Sequence, residues 1–295
     1  MEFGRLEIND LEKTNLSLPD DPAGNTKLLN PAAKKEQKVY VGCSKWGRTE
    51  WIGKLYPPKT KEKDFLQQYA LHYNSVELNA THYKIFGEKA IEGWKKKTDR
   101  TDFRFCPKMY KGITHAGKLN DKPFIINEFL RGIRAFEDKL GPIFIQLHER
   151  FSPNRKEELF QFLNALPEDL QFFVELRHEK WFTGHTLNIL LAFLEERKIG
   201  FVITDTAGRK DCCHMHLTIP SAFIRFVGNS LHPTDFTRVD EWAKRIHFWM
   251  QQGIHEVYFM IHSGDEALSP ALSRYVINVF NEVCTLNLPA VKLIS

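Results

Sequence analysis

Short apolar runs rich in β-branched and aromatic residues recur along the chain from Val39 onward, and stretches with helical spacing separate them. Eight runs predict strands: Val39–Gly42, Ser75–Leu78, Phe103–Cys106, Ile143–Leu147, Phe172–Leu176, Phe201–Thr204, Ala222–Phe226 and Val257–Ile261. Helical spacing predicts helices over Phe65–Tyr73, Ile125–Leu140, Lys156–Leu166, Thr186–Lys198, Trp242–Gln252 and Ala271–Val283. Strands that alternate with helices are typical of parallel strands joined by helical crossovers.

The number of strand–helix units helps to choose among the architectures that have parallel strands. The chain has 295 residues, and the part that contains the eight units is close to the roughly 250 residues of an eight-stranded β/α barrel. We therefore predict an α/β fold, a single TIM-type (β/α)8 barrel over residues 38–295. A doubly wound open sheet is the competing architecture, but residues 42–47 do not fit the Gly-x-Gly-x-x-Gly turn that usually follows its first strand.

Residues 1–37 differ in composition from the rest of the chain. They mix acidic residues, lysines, Asn, Pro and Gly with isolated leucines that follow no sustained period. Such a segment offers little apolar surface to offset the entropy lost on ordering. We expect a flexible polar tail that is loosely attached to the barrel domain.

Alternation along the predicted strands places polar residues on one face. In Ser75–Leu78, Val76 and Leu78 suit the outer face that helices cover, so Glu77 faces the interior. The same parity directs inward Asn79, Lys108, Gln146, Glu175, Arg177, Arg225 and His262, and leaves Thr204 and Asp205 as alternatives on the sixth strand. These residues lie toward the strand carboxyl ends, where barrel enzymes build their sites. We predict a polar pocket there, with a structural lattice of salt bridges as the alternative.

The residue types in this pocket suggest its chemistry. Glu77 and Glu175 are candidates for acid–base catalysis. Arg177, Arg225 and Lys108 suggest an anionic, phosphate-bearing substrate, because guanidinium groups present a planar fork to phosphate. The other candidate substrate-binding residues come from the same face and from the loops that follow the strands: Lys45, Trp46, Asn79, Tyr83, His115, Gln146, His178, Trp181, Asp205 and His262.

No spacing in the chain indicates a metal site. The histidines and carboxylates of the predicted pocket are ligand types, so a divalent metal is kept as an alternative, but compact His-x-Glu or His-x-x-x-His units are absent there. The run 212–216 contains two adjacent cysteines, which rarely ligate one ion with good geometry. We interpret this run as a connection between strands and expect neither a metal nor another cofactor.

The composition of the chain indicates which cellular compartment and which partners to expect. The formal charge of +4 is mildly basic and does not discriminate between partners. Apolar runs approaching the roughly 18 residues of a membrane span are absent, and the first residues lack the pattern of a signal peptide. Five cysteines without framework spacing indicate reduced thiols. We expect a soluble, cytoplasmic protein with no membrane partner; its oligomeric state is not predicted.

Several motifs resemble those of the YecE-like family, also called domain of unknown function 72. They are Val41–Trp46, Trp51-x-Gly53, Tyr56-Pro57, residues 76–83, Lys108 with residues 113–115, residues 140–142 with Gln146, and residues 174–178 with Trp181. The resemblance runs from about Val39 to the end and implies a β/α barrel but almost no biochemistry. The chain departs from the family at His148-Glu149, where Pro-Pro is common, and at Val227, where a histidine is common.

These observations lead to three hypotheses about function. The first is an enzyme that acts on an anionic, phosphate-bearing small molecule or nucleic acid at the carboxyl end of the barrel, as a hydrolase or nuclease-like enzyme. The second is a non-catalytic barrel that binds a nucleic acid or nucleotide through aromatic stacking and phosphate contacts. The third is a carbohydrate-active enzyme, which tryptophans near two carboxylates would favour.

Overall fold

The computed structural model describes residues 3–32 and 36–294. Its strands are β1 Lys38–Cys43, β2 Ser75–Leu78, β3 Arg104–Pro107, β4 Ile143–Gln146, β5 Phe172–Glu175, β6 Gly200–Phe201, β7 Ile203–Asp205, β8 Ser221–Gly228 and β9 Glu256–Ser263. Its α-helices are α1 Ile8–Leu11, α2 Ala23–Leu28, α3 Phe65–Ala70, α4 Ala80–Tyr83, α5 Glu88–Lys95, α6 Lys111–Thr114, α7 Pro123–Arg134, α8 Lys156–Asn164, α9 Gly184–Glu196, α10 Pro233–Gln251 and α11 Ser269–Val283. Among the described helices, none combines the length and the apolar character needed to cross a membrane.

The strands form two parallel sheets. The larger has the order β3-β2-β1-β9-β8-β7, and the smaller has the order β4-β5-β6. This arrangement confirms an α/β fold with parallel strands at all eight predicted runs. It differs from the single closed sheet that we predicted, because the sixth run divides at Val202: β6 pairs with β5, and β7 pairs with β8.

The two sheets meet at two places. Between β3 and β4, Gly141 N donates to Phe105 O at 2.7 Å and Met109 N donates to Phe144 O at 3.0 Å. Pro107 lies between these two bonds on the same side of β3 and has no N–H to donate, so a continuous ladder does not form there. At the other junction, Val202 N donates to Val174 O of β5 at 2.9 Å.

The two sheets share an apolar cluster on the faces that they turn toward each other. The cluster joins Tyr40, Phe223 and Tyr258 of the larger sheet to Phe144 and Phe173 of the smaller one. The ring centroids of Phe144 and Phe173 lie 5.4 and 5.6 Å from that of Phe223. We call this the inner face. The outer face packs against the helices in a larger apolar core, so the parity predicted from the strands is correct.

The N-terminal segment, residues 3–32, packs against the outside of this domain. Leu11, Leu16 and Leu29 are 2–6% exposed. The Asn25 side chain donates to Met215 O at 2.8 Å and accepts from Leu217 N at 2.9 Å. This differs from the loosely attached tail predicted from the sequence. Leu11 and Leu16 pack with Ala207 in one small cluster, and Leu29 joins the larger core. These contacts follow no helical or strand period. Residues 1–2 and 33–35 of the predicted tail lie outside the described residues.

The packing of this segment can be tested with one truncation. Leu16→Ala should lower the free energy of unfolding by about 2 kcal/mol, because truncating a buried leucine removes apolar contacts and leaves a cavity. Leu71→Ala is the control, since Leu71 is 61% exposed and surface changes stay within about 0.5 kcal/mol. Urea unfolding followed by circular dichroism measures both. Equally small effects would contradict the packing described here.

Candidate functional site

Arg225 of β8 lies at the centre of a buried polar cluster on the inner face. Its Nε and Nη2 donate to the two carboxylate oxygens of Glu77 at 2.8 and 2.9 Å, and its Nη1 donates to Glu175 Oε2 at 2.7 Å. All three side chains are at most 2% exposed, and the guanidinium also lies 5.4 Å from the ring centroid of Phe144. One arginine thus joins β2 and β8 of the larger sheet to β5 of the smaller sheet.

Glu175 is the acceptor for three different side chains. Besides Arg225, Arg177 Nε donates to its Oε1 at 2.8 Å and Gln146 Nε2 donates to its Oε2 at 2.8 Å. Gln146 in turn accepts a hydrogen bond from Lys108 Nζ at 2.7 Å. Strand register explains part of this contact, because Gln146 and Glu175 are directly paired in β4 and β5 and therefore point to the same face.

Glu77, like Glu175, is surrounded by hydrogen-bonding side chains. Asn79 Nδ2 donates to Glu77 Oε1 at 2.8 Å, and His262 Nε2 lies 3.0 Å from Glu77 Oε2. The same His262 nitrogen is 3.2 Å from Arg225 Nη2. It cannot both donate to the carboxylate and accept from the guanidinium, so the imidazole serves one of these neighbours at a time.

The charges in the cluster determine how its groups ionise. Burial by itself would raise the pKa of Glu175, but Arg177 and Arg225 outweigh burial and lower it to about 2. Arg225 and His262 likewise overcome burial and hold the pKa of Glu77 well below its ordinary value. Both carboxylates are therefore ionised at neutral pH and are weak proton acceptors. Burial and the nearby Arg225 lower the pKa of Lys108 to about 8.

An open recess of about 320 Å³ lies at the carboxyl ends of the strands, next to this cluster. It is lined by Ser44, Lys45, Arg48, Asn79, Tyr83, Lys108, Gln146, Arg177, Arg225, His262 and Glu266. Five of these residues are cationic, and Glu266 alone among these lining residues is a carboxylate. Glu77 and Glu175 lie directly behind Arg225 and Arg177, and with them the group has five cations against three carboxylates, so it keeps an excess of positive charge.

Glu77 and Glu175 do not line this recess. They are 0% and 1% exposed, and Arg225 separates them from it by taking up their oxygens. Strand parity correctly predicts that both face inward, but it does not tell how deep they lie. This geometry does not support their predicted role in acid–base catalysis. Glu77 instead holds Arg225, and Glu175 holds both Arg225 and Arg177.

The structure brings together most of the predicted substrate-binding residues. The recess contains Lys45, Asn79, Tyr83, Lys108, Gln146, Arg177, Arg225 and His262. His115 lies in an adjoining recess with Phe3 and His148, and Arg177 belongs to both recesses. Burial and Lys108 lower the pKa of His115 to about 4, so its imidazole is neutral at pH 7.

Asp205 does not reach the recess. Thr204 is in register with Arg225 and shares its inner face, so Asp205 points outward. There it pairs with Arg238 Nη2 at 3.0 Å and accepts from Trp242 Nε1 at 2.9 Å. The predicted position of Asp205 at the substrate pocket does not match this structure, in which Asp205 anchors α10 to the sheet.

Three further predicted residues have structural roles. Trp181 is fully buried in the outer core and donates from Nε1 to Phe151 O at 2.7 Å. Trp46 packs edge-on against Trp94, with ring centroids 5.4 Å apart. The His178 side chain accepts from Lys180 N at 3.3 Å and caps a short 3-10 turn. Aromatic and histidine content alone does not distinguish the wall of a pocket from packing or capping.

Sequence reasoning missed other residues of the site. Arg48 and Glu266 form a 3.5 Å ion pair at the recess, and Ser44 Oγ donates to Glu266 Oε1 at 3.4 Å. Phe3 places its ring 4.2 Å from the guanidinium carbon of Arg177. Ser44 shares the inward parity of the first strand, which predicts that it faces the interior, but that parity alone did not make it a candidate for substrate binding. Arg48 and Glu266 lie at the starts of short 3-10 turns and Phe3 lies in the N-terminal segment, and these parts of the chain carry no periodic signal.

A metal site needs several ligand side chains grouped around one point. Within residues 3–32 and 36–294, groups of three His, Cys, Asp or Glu side chains that could hold a metal ion are absent. All five cysteines are buried free thiols. In the run 212–216, His214 Nε2 lies 3.0 Å from Val202 O, which agrees with the interpretation of that run as a connection.

Comparison with known proteins decides the family. The family model "Protein of unknown function DUF72" matches residues 40–292. The chain belongs to the DUF72 family. This confirms the resemblance inferred from the motifs, and it leaves the N-terminal segment outside the matched region.

Relatives of this DUF72 chain include proteins from two bacteria. UPF0759 protein YecE of Escherichia coli (strain K12) is 27% identical over 253 residues, which cover 79% of this chain and 89% of that protein. UPF0759 protein YunF of Bacillus subtilis (strain 168) is 27% identical over 164 residues, 53% of this chain and 57% of that protein.

Two solved DUF72 structures share the fold. A DUF72 family protein from Enterococcus faecalis V583 has a TM-score of 0.66 at 19% identity, with 86% of this chain and all of that chain covered. A DUF72 family protein from Thermotoga maritima MSB8 has a TM-score of 0.61 at 23% identity, with 85% and 100% covered. These likenesses establish the fold and do not bear on activity.

The positioning role of Glu175 makes a prediction about stability and pH. Glu175→Gln should lower the free energy of unfolding by about 3 kcal/mol at pH 7, because the buried guanidinium of Arg225 and the partly buried guanidinium of Arg177 lose a compensating charge. The folded-state pKa of about 2 lies below the unfolded value of about 4.3. This stabilisation is therefore present above about pH 4.5 and is lost as the pH falls through 2.

Urea unfolding of the wild-type protein and of the Glu175→Gln variant between pH 2 and 7 measures this effect. Glu157→Gln is the matched control, because the side chain of Glu157 is 79% exposed. The difference between wild type and Glu175→Gln should narrow as the pH falls from 5 to 2. A difference that stays constant over this range would show that the Glu175 charge does not hold the cluster.

Proposed function

We propose that this DUF72 chain is an enzyme that binds an anionic, phosphate-bearing substrate in the recess at the carboxyl ends of its strands. The observation that carries the proposal is the charge of the recess lining, which has five cationic side chains and a single carboxylate. Phosphate and carboxylate groups are the ligands that arginine forks bind best.

The inner wall of the recess is preorganised for an anion. Arg225 is held on one edge by Glu77 and on the other by Glu175, so binding would cost little side-chain entropy there. Arg48 supports the same proposal: its Nε is buried and lacks a hydrogen-bond partner among the described residues. Buried guanidinium nitrogens normally have an acceptor, and an anion in the recess brings several.

We also propose that the two sheets are parts of one TIM-type (β/α)8 barrel. The bonds between β3 and β4 and the continuous run 200–205 support this, as does the apolar cluster shared by the two inner faces. A crystal structure should then show β3 and β4 at about the strand spacing of 4.8 Å. A gap filled by solvent or by a loop would contradict the barrel.

The reaction is supported less directly than the substrate. The hydrolase or nuclease-like reaction stays a prediction, because neither buried glutamate faces the recess to act as a base. A carbohydrate-active enzyme is disfavoured for the same reason, and because Trp46 and Trp181 pack into the protein instead of lining the recess.

A non-catalytic nucleotide-binding barrel is the second candidate. One observation favours it: Tyr83 is 66% exposed at the recess, and Lys111 Nζ lies 5.1 Å from its ring centroid. An exposed ring beside cations can stack on a nucleobase. Turnover of a phosphate-bearing substrate distinguishes the enzyme from this binder.

The anion site can be tested with inorganic pyrophosphate. Arg177→Ala should weaken pyrophosphate binding by about 1.5–3 kcal/mol, the range for hydrogen bonds to charged groups, which is roughly ten- to hundredfold. Isothermal titration calorimetry measures the affinity. Arg131→Ala is the control, because Arg131 is 65% exposed on a helix away from the recess.

Arg177 also pairs with Glu175, so the melting temperature of each variant is measured alongside and titrations are made where both are folded. Lost stability with unaltered affinity would mean that Arg177 is structural and would contradict the proposed site.

A further inference from the structure

Lys108 is a buried lysine whose partner is not an acid. It follows β3 directly, lines the recess and is 8% exposed. Its Nζ donates to the amide oxygen of Gln146 at 2.7 Å. Among the ion pairs of residues 3–32 and 36–294, none includes Lys108, because the two nearby glutamates pair with Arg225 and Arg177.

This environment disfavours the ammonium form. A buried cation needs a paired anion to offset its lost hydration. Lys108 Nζ has a neutral amide, the Phe144 ring centroid at 5.9 Å and two guanidinium groups nearby. Glu175 and Glu77 favour its ammonium form, but they do not outweigh burial and Arg225. In agreement, burial and then Arg225 lower the pKa of Lys108 to about 8. About a tenth of the amine is then neutral at pH 7, against less than a thousandth for an ordinary lysine.

A desolvated lysine beside another cation is a nucleophile for carbonyl groups. We propose that Lys108 forms an imine with an aldehyde or ketone group of the phosphate-bearing substrate. This inference rests on the proposed anion site, and it narrows the substrate class to phosphate esters that also carry a carbonyl group. Lys45, the other lysine of the recess, is exposed and lacks the burial that favours a neutral amine.

The covalent step needs no co-reactant. The Nζ lone pair attacks the carbonyl carbon, the C=O electron pair moves to oxygen, and a proton passes from Nζ to that oxygen through water in the open recess, which gives a neutral carbinolamine. Its hydroxyl takes up a proton from the solvent and leaves as water while the nitrogen lone pair forms the C=N bond. The imine is therefore protonated, and hydrolysis returns the amine, the carbonyl and that proton. While the imine exists, its positive charge withdraws electrons from the adjacent carbon, so cleavage of a bond next to the former carbonyl becomes the favoured chemistry.

Pyridoxal 5′-phosphate is a suitable probe, because it carries an aldehyde and a phosphate. The full chain is incubated with it at pH 7, the imine is reduced with sodium borohydride, and peptide mapping locates the adduct. We expect Lys108 to be modified at least tenfold faster than the exposed Lys89, with a rate that rises to a midpoint near pH 8. Pyridoxal, which lacks the phosphate, should react at least tenfold more slowly, and pyrophosphate should protect Lys108.

Two variants accompany the probe. Lys108→Arg keeps the charge but cannot form an imine, and it should lose the fast phase of modification. Lys89→Arg should leave that phase unchanged, since Lys89 is exposed on α5. Because the map of the wild-type protein identifies the modified lysine directly, the result stands even if Lys108→Arg does not fold.

The outcomes separate this inference from the function on which it rests. Modification confined to exposed lysines, while pyrophosphate still binds by calorimetry, would overturn the imine and leave the anion site in place. Equal modification of Lys108 by pyridoxal and its phosphate, without protection by pyrophosphate, would support a nucleophilic lysine and overturn the anion site.

Discussion

A guanidinium group removed from water has to be neutralised where it lies, and Arg225 is neutralised by glutamates from two different sheets. Glu77 belongs to the six-stranded sheet and Glu175 to the three-stranded sheet. An unpaired buried charge costs several kcal/mol, so the strands are held in the one arrangement that brings both carboxylates to the same arginine. The ion pairs thereby join sheets that backbone hydrogen bonds connect only at isolated positions.

The chemistry of the recess follows from which cations pair with Glu77 and Glu175. Aromatic rings form the inner layer, the ion pairs lie next to them, and the recess opens at the strand ends. Both buried carboxylates are committed to guanidinium groups, so Lys108 is left with an amide and the recess lining keeps its excess of positive charge. The same sharing of charge thus accounts for the affinity for anions and for the reactive amine that we propose.

Local patterns in the sequence predicted much of this arrangement, and non-local contacts account for the rest. The two-residue period of a strand is a local property, so the inward direction of Glu77, Gln146, Glu175 and Arg225 could be read from single strands. Which cation pairs with which carboxylate depends on strands up to 148 residues apart and has no signature in any one of them. At Asp205 the parity was ambiguous, and register with β8 decided it.

The remaining differences have equally physical causes. Trp46 and Trp181 are large apolar residues beside a polar pocket, and composition does not tell whether such a residue packs inward or lines the opening. Pro107 lacks a hydrogen-bond donor at the junction of the sheets. The sequence shows the proline, but it does not show whether the missing N–H would have faced β2 or β4. The N-terminal segment docks through scattered contacts that leave no period in the sequence. They include the buried leucines and Asn25, and also Asp21, which accepts from Trp249 Nε1 at 2.7 Å.

In the proposed site, Glu77 and Glu175 hold Arg225 while the cations of the recess hold the ligand. A crystal structure of the protein soaked with tungstate, a phosphate-like anion with strong anomalous scattering, tests this most directly. We expect the anion in the recess within hydrogen-bonding distance of Arg177 and Lys108, with both glutamates still paired to Arg225. An empty recess at saturating tungstate, or glutamates turned away from Arg225, would contradict the account.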